Sequence, residues 1–171
     1  MIKVCIDTNI FDLLNGYFNN YSQVEHHSLK VISELKDVRL CSSPIAKQEI
    51  TANSKNYDQE KREENILRES LLKKVNGGSY FLPDYSLLSD CLCSDAESVQ
   101  DPLLSKLKQI FDCPDAKHIF HAYKSDCAYF LTLDEKSILR RYDKNEVVMN
   151  AISPLVITRP TTFLQNYESE H

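Results

Sequence analysis

Four carboxylates stand where an α/β protein would gather a ligand: Asp7, Glu49, Asp115 and Asp134. Asp7 follows Ile2, Val4 and Ile6, whose alternation predicts a strand. Asp134 follows Ala128-Tyr129-Phe130-Leu131-Thr132-Leu133, a near-continuous apolar run of the kind a central parallel strand needs. Ligands of open parallel sheets collect at the carboxyl ends of strands, so these two acids are expected on one edge. Glu49 lies four residues after Ile45, on the inward face of a helix opened by Ser43-Pro44. An inward glutamate needs a partner or a metal. Asp115 stands at the start of a helix opened by Cys113-Pro114-Asp115. If the four converge, their repulsion calls for a cation. Hard ions such as Mg²⁺ or Mn²⁺ take oxygen ligands and retain waters. Such a site can activate a water and steady an in-line phosphoryl displacement.

Each acid also has a plainer explanation. Asp7 or Thr8 can cap the next helix. Glu49 can sit at the edge of its face and reach solvent. Asp115 favours the positive end of its helix, and Asp134 can cap the helix that follows it. Other chemistries fail earlier. With three glycines, two of them adjacent at Gly77-Gly78, the chain has no phosphate-cradling glycine loop. Cys91 and Cys93 form a C-x-C without a matching second pair. His118 and His121 lack a surrounding Glu-x-x-His pattern, so zinc is poorly supported.

The elements that must hold the acids can be placed along the chain. Ile10, Leu13, Leu14 and Phe18 suggest a helix after the first strand. A second helix is expected from about Val24 to Lys36, with Leu29, Ile32 and Leu35 inward. Val38 to Cys41 reads as a short strand, and Leu155 to Ile157 as the last one. A final helix is expected from Pro160 to Tyr167. Ile119, Ala122 and Tyr123 share a face of the helix that begins near Asp115. From about 54 to 112 the pattern is that of a helical insertion, including a charge-rich helix and a helical stretch from Leu103 to Phe111. The whole is read as one domain over 1–171.

Composition sets further bounds. A net charge of −5 argues against a purely electrostatic nucleic-acid binder, yet clustered acidic metal ligands make the charge more negative. No apolar run is long enough to span a bilayer, which predicts no membrane partner. The first strand is too short for a signal peptide, so a cytoplasmic location is expected and the six cysteines read as reduced thiols.

Taken in order, Ile6-Asp7-Thr8-Asn9-Ile10, Ser43-Pro44 leading to Glu49, Asp115 opening a helix with Ala122, and Tyr129-Phe130-Leu131-Thr132-Leu133-Asp134 resemble the PIN-domain family of metal-dependent ribonucleases. The resemblance covers roughly the first 53 residues and those from about 113 onward. It implies a Rossmann-like three-layer α/β/α sandwich around a parallel sheet, and endonucleolytic cleavage of RNA with Mg²⁺ or Mn²⁺. Asp7, Glu49, Asp115 and Asp134 would be the catalytic, metal-holding acids, with Thr8, Asn9 and Thr132 as polar supports. Small relatives of this kind include VapC-like toxins held inactive by an antitoxin, so RNA, an antitoxin protein and a second copy of the chain are the expected partners.

The chain departs from that pattern at two points. A further acid often found three residues after the T-x-D aspartate is Ser137 here, which favours one firmly held ion over two; Glu135 would face elsewhere. The middle segment is also long for a compact toxin. Two alternatives remain. One is a PIN-like module that binds RNA or protein without cutting. The other is a haloacid-dehalogenase-like phosphatase, disfavoured because the position of its acid/base aspartate is Asn9.

Overall fold

The computed structural model describes residues 1–11, 22–46 and 101–170. Four strands form one all-parallel sheet: β1 (Ile2–Ile6), β2 (Val38–Ser42), β3 (Tyr129–Leu131) and β4 (Val156–Thr158), in the order β2-β1-β3-β4. Six α-helices are described around it: α1 (Gln23–Glu34), α2 (Pro102–Lys108), α3 (Cys113–Lys124), α4 (Arg140–Asp143), α5 (Glu146–Ala151) and α6 (Pro160–Glu170). A π-helical turn, Glu135–Leu139, runs directly into α4. The fold is α/β, as the alternation of apolar runs and helical patterns predicts. Among the described residues, no helix is long and apolar enough to cross a membrane.

The register explains why β1 reads so clearly. Val4 pairs with Leu40 on one side and Tyr129 on the other, while Ile6 pairs with Ser42 and Leu131. A central strand of a parallel sheet is covered on both faces, and Val4, Cys5 and Ile6 have no exposed surface. Successive side chains then enter different clusters. Val4 and Ile6 pack with Leu29, Ile32, Leu131 and Phe163. Cys5 packs with Cys41, Ile119, Ala122 and Phe130. Each fully buried Ile, Leu or Phe removed from water contributes about 1.5–3 kcal/mol, so both clusters are needed.

Local chemistry fixes the helix ends. Ser22 accepts the Glu25 N–H at the start of α1, and Asp101 accepts the Leu103 N–H ahead of Pro102. Ser43 accepts from Ala46 N as the chain leaves β2 and turns helical at 44–46. At the far end of α3 the chain makes a Schellman turn. Cys127 N–H bonds to the Ala122 carbonyl and Asp126 N–H to that of Tyr123, with Asp126 at φ 55°.

Several boundaries differ from those read in the sequence. The apolar run Ala128–Leu133 contributes only Tyr129–Leu131 to the ladder, because Leu133 N–H is diverted to the Asn9 side chain. Asp134 therefore stands three residues beyond β3 and not at its end. The last strand is shifted by one residue to Val156–Thr158, and the helix expected over Leu103–Phe111 spans Pro102–Lys108. Glu49 and the charge-rich helix of the middle segment lie outside the described residues, as does most of the first predicted helix beyond Ile10 and Phe11.

Candidate functional site

Chain order makes the location of the site a consequence of topology. From β1 the chain crosses to β2 on one side, then returns to β3 on the other. The gap beyond the carboxyl ends of β1 and β3 is thus a topological switch point, where open parallel sheets bind ligands. Asp7 leaves β1 at this gap, and its N–H is held by the Leu131 carbonyl at 2.9 Å.

Thr132 is the hub of the gap. Its hydroxyl has one donor and two acceptor positions, and all three are used. It donates to Asp7 Oδ2 at 2.7 Å, and it accepts from Asn9 Nδ2 at 3.2 Å and from the Asp134 N–H at 3.1 Å. Asn9 spans the same gap, with Nδ2 donating to Asp7 Oδ2 at 2.8 Å and Oδ1 accepting from Leu133 N–H at 3.1 Å. The Thr8 main-chain N–H donates to Asp7 Oδ1 at 2.7 Å. Asp7 is 5% exposed, and three donors to its oxygens offset much of the penalty for burying a charge. The Asp7-Thr8-Asn9 and Thr132-x-Asp134 motifs are therefore one hydrogen-bonded unit.

Asp134 is aimed by the turn that follows it. Its Oδ1 accepts from Lys136 N–H at 3.0 Å and Ser137 N–H at 2.8 Å, and Ser137 Oγ donates to Oδ2. The capping role read as the plainer alternative is thus realised, at the start of a π-helical turn, a distortion that often marks functional sites. Burial pushes the Asp134 carboxyl up. The Ser137 hydroxyl, the Ser137 and Lys136 N–H groups and the Arg141 guanidinium outweigh it and hold the group below the usual carboxylate range. Glu135 pairs with Arg159 and Arg140.

Asp115 enters from the first turn of α3. Its carboxyl is pushed up to about 6, first by burial and then by the fields of Asp7 and Asp134, against the opposing influence of His118. The three acids therefore sense one another, as expected if they share a pocket. One turn further along α3, His118 Nδ1 lies 2.6 Å from Ser43 Oγ, tying the helix to the end of β2.

The structure thus brings Asp7, Asn9, Thr132 and Asp134 into direct contact, places Asp115 in their field, and leaves Glu49 outside the described residues. Among the described residues, no group of three His, Cys, Asp or Glu side chains is arranged to hold a metal ion. Sequence reading missed the role of Ser137, which was noted only as the position of an absent acid; a hydroxyl three residues after a turn-forming aspartate was the available signal. It also missed the brace behind the site. Glu25, 5% exposed, accepts from Thr161 N–H at 3.1 Å and Thr161 Oγ1 at 2.9 Å at the start of α6. Arg159 joins Glu25, at 3.5 Å, to Glu135 beside Asp134. No family model, curated protein or solved structure matches the chain, so the reading of this site rests on its own geometry and chemistry.

Proposed function

We propose that the chain is a divalent-metal-dependent endoribonuclease of the PIN type. The two apolar clusters support the three-layer α/β/α arrangement that this reading requires. The observation that carries the proposal is the switch-point cluster. Asp7 and Asp134 are joined through Thr132, while the Asp115 carboxyl is pushed up to about 6, first by burial and then by both of them.

The donor set fits Mg²⁺ or Mn²⁺ in kind. It consists of hard carboxylate oxygens, with neither thiolate nor imidazole among them. Their repulsion, felt at Asp115, is the imbalance that a cation would relieve. Asp7, Asp115 and Asp134 would hold the ion, with Glu49 as the fourth acid. Once bound, it would supply an activated water and charge neutralisation at a scissile phosphate. The chain's own groups do the positioning. Thr132 and Asn9 fix the rotamer of Asp7, and Ser137 turns Asp134 toward its backbone cap. The Asp115 carboxyl, pushed up to about 6, is only half-ionised near that pH, and positive charge beside it would favour the ionised form.

The test is cleavage of a single-stranded RNA with added Mg²⁺ or Mn²⁺, with chelator, and with Asp7→Asn. Metal-dependent cleavage that chelator and Asp7→Asn both abolish supports the proposal. Undiminished cleavage by folded Asp7→Asn contradicts it. A second reading, a PIN-like module that binds RNA or a protein such as an antitoxin without cutting, is favoured by Asp134, whose two oxygens already accept from the Lys136 N–H, the Ser137 N–H and the Ser137 hydroxyl. Under that reading RNA or partner binding persists while no metal restores cleavage.

A further inference from the structure

Three cysteines far apart in sequence meet on one face of the sheet. Cys5 in β1 pairs in register with Cys41 in β2. Cys127, delivered by the Schellman turn after α3, brings its sulfur to 3.7 Å from Cys41 Sγ. All three are buried with Ile119, Ala122 and Phe130. The ordinary role of such thiols is that of small hydrophobes. Two observations at Cys127 go beyond packing.

First, Cys127 lines a cavity of about 320 Å³ bordered by Tyr123, Lys124, Asp126, Ser153 and Leu155. Lys124 and Asp126 are exposed, so the cavity reaches solvent. It lies at the starts of β3 and β4, across the sheet from Asp7 and Asp134. Ala128 N–H bonding to the Lys3 carbonyl fixes that placement. Second, the groups around Cys127 favour its thiolate. The neighbouring thiols of Cys41 and then Cys5 outweigh burial. Lys3, whose Nζ is anchored on the Ser125 carbonyl at 2.7 Å, adds positive charge, and Asp126 opposes it. The Cys127 thiol is held below the usual cysteine range. Cys41 is pushed up, chiefly by Cys127, and keeps its proton. That single S–H has two acceptors in reach, the Val4 carbonyl at 3.4 Å and Cys127 Sγ at 3.7 Å. A charged acceptor binds it more strongly.

We propose that Cys127 is a peroxide-oxidisable thiol opening on this cavity, with Cys41 as its resolving partner. The Cys127 thiolate attacks one oxygen of hydrogen peroxide. The O–O bond breaks, the sulfur becomes a sulfenic acid, and the departing hydroxide takes up a proton to leave as water. Cys41 sulfur then attacks Cys127 sulfur. An S–S bond forms, the S–O bond breaks, and the Cys41 proton joins the leaving hydroxide as a second water. Two thiols together lose two electrons and one peroxide is reduced to two waters. The sulfurs must close from 3.7 Å to about 2.05 Å, a movement that draws β2 toward the turn after α3.

The experiment exposes the native full chain to hydrogen peroxide, blocks residual thiols and maps the products by mass after trypsin. Cys5, Cys41, Cys113 and Cys127 fall in four separate tryptic peptides. A cross-link between the Cys41 and Cys127 peptides, lighter by two hydrogens, is expected. In Cys41→Ser, a 1,3-dione should trap sulfenic acid on Cys127. If that variant does not fold, the wild-type protein decides through iodoacetamide at pH 6, which should alkylate Cys127 roughly tenfold faster than the exposed Cys113. Oxidation confined to Cys113, slower alkylation of Cys127 than of Cys113, or labelling of Cys127 only in denaturant would overturn the proposal. None of these readouts depends on ribonuclease activity.

Discussion

Thr132 shows at the residue scale how much one hydroxyl can organise. Its three hydrogen bonds join Asp7, Asn9 and Asp134, and it has no exposed surface. Thr132→Val keeps the shape and removes all three bonds, leaving the Asp134 N–H and Asp7 Oδ2 short of a partner. Urea titration should show a loss of about 1–3 kcal/mol. Mn²⁺ affinity should fall with it, while Thr132→Ser keeps the hydroxyl and restores the affinity. Equal affinity in Thr132→Val and wild type would remove Thr132 from the site. Asp115 gives a pH prediction of unusual sign. Its carboxyl is raised to about 6 in the folded chain, so the native state holds a proton that the unfolded chain releases near pH 4. This contribution is full below the unfolded value and is lost as pH rises through about 6. Without metal, Asp115→Asn should therefore be more stable than wild type at pH 7 by about 1 kcal/mol, discounted for partial exposure. The gain should vanish near pH 4. Denaturation curves at both pH values check it, and a gain independent of pH would contradict the shared field of the three acids. Asp134, held low, acts in the other sense: its contribution is present at neutral pH and fades only as acid protonates it.

Capping and turns set the geometry at the scale of elements. α6 starts on a buried carboxylate from α1, with Glu25 accepting from both polar hydrogens of Thr161. Glu25→Ala leaves that helix end bare and frees Arg159 from one of its two acids. A loss of about 1–3 kcal/mol is expected in thermal or chemical unfolding. A loss within about 0.5 kcal/mol would mean that water replaces the cap, as at ordinary surface sites. The turn after α3 has the opposite defect. Asp126 adopts φ 55°, where a Cβ is unfavourable. Asp126→Gly relieves it, at the expense of greater freedom in the unfolded chain. The net gain expected is about 0.5 kcal/mol, read from the same curves. A loss would show that the Asp126 side chain contributes more than its backbone strain removes.

For the molecule as a whole, the parts legible in the sequence were those with long or sharply bounded patterns. Ile2-Val4-Ile6 before Asp7 gave a central strand and its switch-point acid. The spacing of Leu29 and Ile32 marked the buried face of α1, though Leu35 lies at its cap and is only half-buried. Cys113-Pro114 marked the start of α3. Between 135 and 154 only a helix following Asp134 was expected, without bounds, because a π turn and helices of four and six residues are too short to show a clear period and stand on tertiary packing. Ser137, the Glu25–Arg159 brace and the meeting of Cys41 with Cys127 were invisible for another reason. Each depends on which elements lie side by side, and the last joins positions 86 apart. The same limit applies to the acids. Asp7 and Asp134 could be assigned to one edge from strand ends alone, but their linkage through Thr132 required the register of β1 against β3.

The account turns on whether the switch-point carboxylates hold one divalent cation. Crystals of the full chain soaked in Mn²⁺ and measured at a wavelength where manganese scatters anomalously test this directly. The account predicts an anomalous peak between Asp7, Asp115 and Asp134 that Asp7→Asn abolishes while leaving the fold unchanged. Full Mn²⁺ occupancy elsewhere with none at these acids, or a peak that survives Asp7→Asn, would contradict it.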